Sequence, residues 1–379
     1  MNLIQKSAKG HALIIGAGVS GMTTALCLHE RGISSVLVAE KFMPHITSAV
    51  AGALWEWPPA VCGFHHDQIS LERSKHWSME SFRRFQTITG DATAGVAIRP
   101  VNFYFRNRID EHEFHKMKMD EIQAHVPGFR RDPGLIAEHG VCQEIGLVDA
   151  YRHLAPMVDT DLYMAWLRAR LQECGTQIIE RSISGDLEQH EQRLRQEFGA
   201  DVIVNCAGLG ARTLASEPMF PLRGAVIRLI NDGSRMPVLT EAHCVSHDNV
   251  TSDQEIVFIV PRGKNRIVLG AIAEADQWST DIDLHNHEPI QRMYQRCLEM
   301  LPVLRHAEID AVEPVRAGLR PFRKNNVRLD QIAGTSIVHN YGHGGAGVTF
   351  SWGCGGEVAE RVDAMLAAGQ GVFASGTAR

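Results

Sequence analysis

Short apolar runs alternate with helix-like stretches in the first part of the chain. His11 to Ile15 is an apolar run that ends at Gly16. Ser20 to Arg31 then has the pattern of a helix, with Gly32 just beyond its end. Ser35 to Ala39 is a second run of β-branched and apolar residues. A strand, a glycine turn, a helix and a strand within about 30 residues predict a βαβ unit.

The later parts of the chain carry further strand and helix patterns. The continuous apolar run from Asp201 to Asn205 is typical of a strand covered on both faces. Two β-rich segments, Glu255 to Val260 and Arg266 to Ile272, flank a five-residue loop and predict a hairpin. The segment from Met117 to Met119 has the pattern of an amphipathic surface. The remaining predicted elements are a strand at Gly224–Ile230, helices at Thr160–Cys174 and Glu288–Met300, and a final helix from about Gly355 to Ala367.

Composition narrows the class of protein. The 379 residues carry 38 Lys and Arg against 44 Asp and Glu, a formal net charge of −6, and 44% are hydrophobic. These values are ordinary for a soluble globular protein, and the length suggests two domains or one domain with a large insertion. The mild acidity argues against a nucleic-acid partner, which calls for a basic face. No apolar run approaches the roughly 18–20 residues that cross a bilayer, so we expect no membrane partner.

The cysteines and the N-terminus indicate a cytoplasmic protein. The eight cysteines are scattered and include no C-x-x-C pair, unlike the dense cysteines of small disulfide scaffolds. The polar start of the chain lacks the apolar core of a secretory signal. Paired histidines occur, but no acid or thiol cluster completes a four-ligand set, so we predict no metal site.

A glycine-rich motif follows the first predicted strand. Gly16-Ala17-Gly18-Val19-Ser20-Gly21 has the G-x-G-x-x-G spacing and opens a helix, which is the context of a dinucleotide-binding loop. The first glycine permits a tight turn, the second lets the backbone approach a pyrophosphate, and the third allows close packing of helix and strand. Glu40 ends the second strand, where an acid binds ribose hydroxyls and disfavours NADP. NAD and FAD both remain open, because both use this motif.

Two segments nearer the C-terminus carry further candidate chemistry. His339 to Thr349 places four glycines within six positions, between a strand-like run and a helix. This pattern predicts a backbone that approaches a flat ligand, with N–H groups aimed at it. Gly318-Leu319-Arg320-Pro321 contains an arginine, whose rigid fork can hold a carboxylate through two hydrogen bonds. On the residues alone, a solvated surface role for Arg320 stays open.

These segments together resemble the D-amino acid oxidase family, which includes D-aspartate oxidase. The match extends over most of the chain, and its most specific part is HNYGHGGAGVTFSWGC, from His339 to Cys354. The other matching segments are Gly16–Gly21, Ala25–Cys27, His29–Gly32, Ala39–Phe42, Val50–Trp55, Gly199–Cys206 and Gly318–Pro321.

The resemblance implies an α/β fold of two domains. A Rossmann-like FAD-binding domain, a parallel sheet with helices on both sides, would accompany a mixed-sheet α+β substrate domain. FAD would lie in an extended pose in the first domain. The expected boundaries are 1–54, 144–219 and 316–368 for the discontinuous FAD-binding domain, 55–143 and 220–315 for the substrate domain, and 369–379 for a flexible tail.

The resemblance also implies roles for individual residues. Arg320 would hold the substrate carboxylate, and the carbonyl of Gly345 would meet the substrate amine. The substrate pocket would be lined by Leu54, Glu56, Gln254, Phe258 and Val260. FAD would contact Gly16, Ala17, Gly18, Val19, Ser20, Gly21, Glu40, Lys41, Thr47, Ser48, Ala51, Gly52, Ala53, Leu54, Ile183, Ala207, Gly208, Gly344, Gly345, Ala346, Gly347, Val348 and Thr349.

The sequence departs from the family pattern in the pocket. Gln254 and Phe258 stand where the family has two tyrosines, Glu56 stands where it has a glutamine, and Ala346 replaces an aromatic residue. We therefore expect Arg320 to bind a carboxylate without help from a tyrosine hydroxyl. A pocket carboxylate at Glu56 would favour a cationic substrate side chain, whereas a surface or hydrogen-bonded glutamate would not.

The activity that the resemblance implies is oxidation of an amino acid, D-configured, at its C–N bond. Hydride would pass to flavin N5, the imine would hydrolyse to a keto acid and ammonia, and O2 would reoxidise the flavin to give hydrogen peroxide. The expected partners are a carboxylate-bearing amine and O2, and a homodimer is left open. The alternatives are an NAD-dependent dehydrogenase, a flavin-dependent amine or imino-acid oxidase that tailors a biosynthetic intermediate, and a non-catalytic flavoprotein. A retained Arg320 argues against the last of these.

Overall fold

A computed structural model describes residues 9–57, 67–246 and 256–375, with side chains up to residue 368. Its helices are α1 (Val19–Glu30), α2 (Thr47–Val50), α3 (Gln68–Ile88), α4 (Glu113–Ile122), α5 (Leu135–Glu138), α6 (Thr160–Glu173), α7 (Leu187–Phe198), α8 (Ala211–Leu214), α9 (Glu288–Met300) and α10 (Gly347–Ser375). Its strands are β1 (His11–Ile15), β2 (Ser34–Ala39), β3 (Val96–Phe105), β4 (Arg130–Arg131), β5 (Asp149–Val158), β6 (Gln177–Glu180), β7 (Val202–Asn205), β8 (Met219–Ile230), β9 (Ala242–Val245), β10 (Val257–Arg262), β11 (Arg266–Gly270), β12 (Glu274–Ala275), β13 (Val315–Arg323), β14 (Arg328–Gln331) and β15 (Ile337–Tyr341).

The first sheet has six strands in the order β14-β15-β7-β1-β2-β6. All neighbours are parallel except β14, which is antiparallel to β15. Both faces are covered by helices: Ala12 and Ile14 of β1 face a cluster with α1 and α10, while Leu13 and Ile15 face a cluster with α7. Burial on both faces explains why these strands are apolar at every position.

Helices α1, α10 and α3 form a closely packed layer on one face of this sheet. Most residues of α1 are buried, as expected for a helix that is apolar on all sides. A Cβ atom added to Gly353 of α10 would lie 2.3 Å from Cα of Trp77 on α3. A Cβ atom added to Gly355 would lie 3.2 Å from the backbone nitrogen of Thr24 on α1. Glycine at these two positions therefore lets α10 approach both neighbouring helices.

The second sheet has nine strands, with the path β12-β8-β11-β10-β9-β3-β5-β4 and β13 paired to β8. It is mixed, since β3 and β9 are parallel while the other pairs are antiparallel. One face packs on α9 through an apolar cluster, and the other face carries a second cluster that includes Trp55 and Phe82.

Most predicted elements are confirmed, and α10 is the main difference. The predicted βαβ unit, the hairpin and the helices that begin at Thr160 and Glu288 are present. Helix α10, however, begins at Gly347, eight residues before the predicted Gly355, and it extends to Ser375 within the segment expected to be a tail. Gly353 and Gly355, near the predicted start, lie inside the helix and are sites of close helix packing.

The expected division of the chain into two domains stays a prediction. Two strands lie in a different sheet from the one that the expected boundaries imply. Asp149–Val158 and all but the first residue of Val315–Arg323 fall within the ranges expected for the FAD-binding domain, but both strands belong to the nine-stranded sheet. No helix in the described ranges is both long enough and apolar enough to span a bilayer.

We predict that Gly353→Ala lowers the free energy of unfolding by about 1–3 kcal/mol, because the added methyl group overlaps the backbone of α3. Gly356→Ala is the matched control on the same helix, since no atom lies within 4 Å of its added Cβ. The control should be neutral or stabilising by up to about 1 kcal/mol. Urea unfolding of both variants measures the effect, and equal midpoints would contradict the close packing of α10 on α3.

Candidate active site

A cavity of about 1030 Å³ lies between the two sheets. The ends of β1, β2 and β7 form one side of it, and residues of β8, β9, β10 and β13 form the other. Ligands of parallel α/β sheets bind outside the carboxyl ends of the strands, and this cavity has that position. Its volume is at the upper end of the roughly 300–1,000 Å³ that small-molecule sites have, so it suits a long ligand together with a substrate.

The first glycine loop is held by steric constraints at two positions. Gly16 has a φ of 117°, and a Cβ atom there would lie 2.4 Å from the carbonyl oxygen of Cys206. A Cβ atom at Gly21 would lie 1.9 Å from the carbonyl oxygen of Gly16. Helix α1 begins after Gly18, which provides no side-chain cap, and its first residues line the cavity. The positive end of α1 is therefore directed at the space that a phosphate would occupy.

The second glycine loop lies against the first. Ser20 Oγ is 3.4 Å from Nδ1 of His343, and Nε2 of His343 is 3.0 Å from Oδ1 of Asn340. Asn340 also donates a hydrogen bond to Oγ1 of Thr24, 3.1 Å away. Burial lowers the pKa of His343 to about 4, so this histidine is neutral at pH 7 and acts as a hydrogen-bonding link between the loops.

The segment from Thr47 to Leu54 forms a third part of the cavity wall. Arg262 supports this segment through hydrogen bonds to its backbone. Arg262 is buried, and its Nη2 donates to the carbonyl oxygens of Ala51 and Gly52 at 2.8 and 2.9 Å. Its Nη1 donates to Oγ1 of Thr160 at 2.8 Å. Burial lowers the pKa of Arg262 to about 10, so it remains a cation at pH 7.

Backbone strain marks the same wall. Ala53 has a φ of 54°, a left-handed conformation that is unfavourable for a residue with a Cβ atom. A Cβ atom at the neighbouring Gly52 would lie 2.6 Å from the ring of Phe258, so the backbone is in close contact with that ring. Strain of this kind persists where the surrounding structure imposes it, and such positions cluster at functional sites.

Arg320 lies at the cavity wall on the second sheet. Its Nη1 donates to the carbonyl oxygens of Ile272 at 3.0 Å and Arg223 at 3.4 Å. The guanidinium group covers Gly224, where an added Cβ atom would come within 2.5 Å of it. In the described part of the chain no carboxylate forms an ion pair with Arg320, and burial lowers its pKa to about 10. A cation in such surroundings favours an anionic ligand.

Glu56 and Lys118 form an ion pair in another part of the cavity wall. Nζ of Lys118 donates to Oε1 of Glu56 at 2.8 Å, and the Lys118 side chain is 9% exposed. Burial disfavours the ammonium group of Lys118, but the charge and the hydrogen bond of Glu56 outweigh burial and raise its pKa. The expectation of an amphipathic surface at Lys118 is therefore wrong, because α4 turns this residue inward. The Glu56 carboxylate is already paired, which removes the basis for a preference for cationic side chains.

A protein-family model described as FAD dependent oxidoreductase matches residues 11–361. The chain belongs to this family of FAD-dependent oxidoreductases. It is 35% identical to a D-amino-acid oxidase of Rubrobacter xylanophilus, over 94% of this chain and 96% of that protein. It is 32% identical to a D-amino-acid oxidase of Streptomyces coelicolor, over 92% of this chain and 96% of that protein. Glycine oxidase from Bacillus cereus has the same fold, with a TM-score of 0.73 and 18% identity over 94% of this chain and 95% of that one.

These comparisons confirm the resemblance to the D-amino acid oxidase family, the fold class and FAD as the cofactor. The cavity of this oxidoreductase also fits FAD on its own geometry. Two helix N-termini and the Gly18 backbone suit a pyrophosphate, and the Glu40 side chain beyond β2 suits a ribose. Gly52 and Gly344, which have no side chains, line the cavity where a flat ring would lie. The family match also removes the NAD-dependent alternative.

Most predicted site residues lie on the cavity wall of the oxidoreductase. Arg320 and Gly345 are there, and so are Leu54, Glu56 and Phe258 of the expected substrate pocket. The predicted cofactor residues on the wall are Gly16, Ala17, Gly18, Val19, Ser20, Glu40, Lys41, Thr47, Ser48, Ala51, Gly52, Ala53, Leu54, Ile183, Ala207, Gly208, Gly344, Gly345, Gly347, Val348 and Thr349. Their individual contacts with FAD stay predictions.

Four predicted site residues are not on the wall that the structure describes. Gly21 faces the turn at Gly16 and allows close packing of α1. Val260 and Ala346 are each 1% exposed and lie within apolar clusters, because the strand and the loop turn them toward the core. Gln254 lies outside the described residues.

Sequence reasoning missed several residues of the site. Phe103, Lys118 and Cys244 line the cavity, and Arg262 supports it from behind. Phe103 and Cys244 are opposite each other on β3 and β9. Local sequence patterns carry no information about which strands pair. The one local signal was for Arg262, a charged residue that follows an apolar run and Pro261 in the predicted hairpin.

We predict that Arg262→Met weakens FAD binding at least about tenfold and lowers thermal stability, because it removes the donor of two partly buried carbonyls and of the buried Thr160 hydroxyl. Arg99→Met is the matched control, since Arg99 makes one hydrogen bond, of 2.7 Å, to Gly263 in the same hairpin. Fluorescence titration of each apoprotein with FAD and thermal unfolding are the measurements. Arg262→Lys keeps the charge and should recover part of the affinity. Equal FAD affinity in Arg262→Met and the control would refute the support role.

Proposed function

We propose that the oxidoreductase oxidises the C–N bond of a free amino acid, with preference for the D configuration. The α-carbon loses its hydrogen as hydride and the nitrogen loses a proton, which leaves an imine that hydrolyses to a keto acid and ammonia. FAD supplies the hydride acceptor, and O2 takes up the two electrons and becomes hydrogen peroxide. The name D-amino-acid oxidase of both relatives supports the substrate class and its configuration.

The observation that carries this proposal is the unpaired guanidinium of Arg320 on the cavity wall. Its hydrogen bonds go to backbone carbonyls, so its charge has no partner among the described carboxylates. A substrate carboxylate would supply that partner through a charge-assisted hydrogen bond, which is stronger than a neutral one. An amino acid is a small substrate that brings such a carboxylate next to an oxidisable C–N bond.

The second contact with the substrate would come from the loop at Gly345. Gly345 is exposed and lines the cavity, while its neighbours His343, Gly344 and Ala346 are buried. Its backbone carbonyl would be the acceptor of this loop for an amine. Two fixed points orient the α-hydrogen, and orientation of this kind can lower a barrier by several kcal/mol, with about 7–11 kcal/mol as a ceiling. An amine that binds in its neutral form needs no protein base.

The cysteines support the expectation of a cytoplasmic enzyme. All seven cysteines in the described ranges are free thiols, and five of them are buried. Free thiols are typical of the reducing cytoplasm rather than of secreted proteins.

A tailoring oxidase that acts on a larger amine or imino acid is the second candidate function. The observation in its favour is the Phe258 ring, which lines the cavity where the family has a tyrosine. An apolar ring at this position offers no hydroxyl to the carboxylate of a small substrate. Such an enzyme would still use Arg320, but free D-amino acids would be poor substrates.

We predict that the purified protein shows flavin absorption, and that anaerobic addition of free D-amino acids bleaches it. The corresponding L-amino acids should bleach it at least about a hundredfold more slowly, because inversion moves the α-hydrogen away from the acceptor while Arg320 holds the carboxylate. Hydrogen peroxide formation under air, measured with a coupled peroxidase, tests the acceptor. Bleaching by L-amino acids at equal rates would contradict the configuration, and bleaching by larger amines alone would favour the tailoring oxidase.

We predict that Arg320→Met weakens the binding of D-alanine by about 2 kcal/mol or more, roughly 30-fold, because a charged hydrogen bond is lost. The concentration dependence of anaerobic bleaching gives the dissociation constant. Arg320→Lys, which keeps the charge but not the fork, should lie between the two proteins. Arg292→Met is the control, since Arg292 is exposed and pairs only with Glu288 on α9 in the described structure. An unchanged constant in Arg320→Met would remove this residue from the site.

A further inference from the structure

Glu217 is a buried acid at the point where the chain passes from the first sheet to the second. It lies between α8 and β8, and its side chain is 8% exposed. Its backbone nitrogen donates to the carbonyl oxygen of Ala211 at 3.2 Å, and its carbonyl oxygen accepts from the nitrogen of Met219 at 2.7 Å. The backbone on both sides of the acid is held in this way, so the carboxylate has a defined position at the junction of the sheets.

The carboxylate of Glu217 connects the ends of three strands. Oε1 lies 2.8 Å from Nε of Arg323, the last residue of β13. Oε2 lies 3.1 Å from Nη1 of Arg328, the first residue of β14. Oε2 also accepts a hydrogen bond of 3.1 Å from the hydroxyl group of Tyr341, the last residue of β15. Because β13 belongs to the nine-stranded sheet and the other two strands to the six-stranded sheet, this one side chain joins both sheets.

These contacts are made by an ionised acid. Burial disfavours the carboxylate of Glu217, but the ion pair with Arg323 and the contacts with Tyr341 and Arg328 outweigh burial and lower its pKa. Hydrogen bonds and ion pairs of charged groups are stronger than neutral ones. Removal of the acid would leave two cations close together at a half-buried position, which is costly. The charge of Glu217 therefore holds β13 and β15 in a fixed relative position.

Two of these strand ends lead to the groups proposed to contact the substrate. Arg320 lies three residues before Arg323 on β13. Gly345 lies four residues after Tyr341, in the glycine loop that follows β15. The group for the carboxylate and the group for the amine thus come from different sheets, and their separation depends on how those sheets are joined.

Direct contacts between β13 and the glycine loop lie beside both groups. The N–H of Gly344 donates to the carbonyl oxygen of Pro321 at 3.1 Å. Gly342 has a φ of 83°, and a Cβ atom added there would lie 3.2 Å from Cδ of Arg323. The start of the loop is therefore in close contact with the stem of the arginine that Glu217 holds.

The guanidinium group of Arg320 is held by other contacts. Its Nη1 donates to the carbonyl oxygens of Ile272, which follows β11, and of Arg223 on β8. A change at Glu217 should therefore displace the glycine loop relative to Arg320 and leave the binding of a carboxylate largely intact.

We propose that Glu217 is a positioning residue, which fixes the second glycine loop against the end of β13 and so sets the separation between Arg320 and Gly345. The inference rests on the proposed function for the roles of these two groups. An amino acid must reach both groups at once, whereas a carboxylate without an amine needs Arg320 alone. A displacement of about 1 Å at a reacting centre can cost about a hundredfold in rate.

The first experiment compares the oxidation of an amino acid with the binding of a simple carboxylate. Glu217→Gln removes the negative charge and nearly keeps the size of the side chain. The limiting rate of anaerobic flavin reduction by D-alanine should fall at least about tenfold. The dissociation constant of propionate, which has a carboxylate and no amine, should stay within about threefold. Flavin absorption measures both quantities.

Asp310→Asn is the matched control, because Asp310 is also a buried acid between two arginines. Its Oδ2 lies 2.8 Å from Nε of Arg266 and 3.5 Å from Nη2 of Arg228. None of these three residues is on the described cavity wall. The control should change neither quantity more than about threefold. Equal reduction rates in Glu217→Gln and the control would overturn the proposal, and so would a propionate affinity that falls as much as the rate.

Arg328→Met is a milder variant of the same cluster. It removes one arginine and keeps the pair of Glu217 with Arg323, so its rate of flavin reduction should lie between those of the wild-type protein and Glu217→Gln. If Glu217→Gln does not fold, Arg328→Met decides the question by the same comparison with Asp310→Asn.

FAD binding separates this inference from the proposed function. The second glycine loop is part of the cavity wall that fits FAD, so its displacement in Glu217→Gln should weaken FAD binding at least about fivefold relative to Asp310→Asn. Fluorescence titration of each apoprotein measures this. If no amino acid reduces the wild-type flavin but FAD binding is weakened in this way, the positioning role stands and the proposed reaction fails. If D-alanine reduces the wild-type flavin and Glu217→Gln behaves as its control, the reaction stands and the positioning role is wrong. If no amino acid reduces the flavin and FAD affinities are equal, both are wrong.

Discussion

The cavity depends on hydrogen bonds that connect two glycine loops from opposite ends of the chain. Ser20, His343, Asn340 and Thr24 form a continuous series of polar contacts between the start of α1 and the loop before α10. Thr23 adds a hydrogen bond of 3.0 Å to the carbonyl oxygen of residue 351 on α10. These groups are largely buried, so each lost bond would leave a costly unsatisfied atom. The two helix N-termini therefore remain directed at one space.

Within the described ranges, buried arginines without a paired carboxylate distinguish this cavity from an ordinary crevice. Arg320 and Arg262 both donate to backbone carbonyls, and burial lowers the pKa of each to about 10. Their tasks differ, because the donors of Arg262 are occupied by the Ala51–Gly52 backbone while Arg320 faces the cavity. Glu56 and Lys118 have the opposite character, since they neutralise each other. In the described structure the cavity wall thus carries a buried arginine without a carboxylate partner and a buried ion pair.

Much of the fold and the dinucleotide-binding part of the site were predictable from the sequence, because the residues that indicate them are close together in the chain. The strand before Gly16, the helix after it and the acid at Glu40 follow one another within a short stretch. The spacing of the glycines alone determines where the backbone approaches a ligand. The same local logic was wrong for the start of α10, which we predicted at about Gly355 although the helix begins at Gly347 and includes Gly353 and Gly355. Those glycines are required by contacts with Trp77 and α1, which are distant in sequence.

The sequence by itself determined the dinucleotide loop and the resemblance to the family to which the chain belongs, while it left a surface role for Arg320 open. Only the tertiary structure decided that Glu56 is paired with Lys118, that Arg262 supports the cavity wall, and that Arg320 has no carboxylate partner in the described structure. The physical reason is the range of the interactions. Turns and helix starts are set by neighbouring residues, whereas a charge acquires its partner only when strands and helices far apart in the chain pack together.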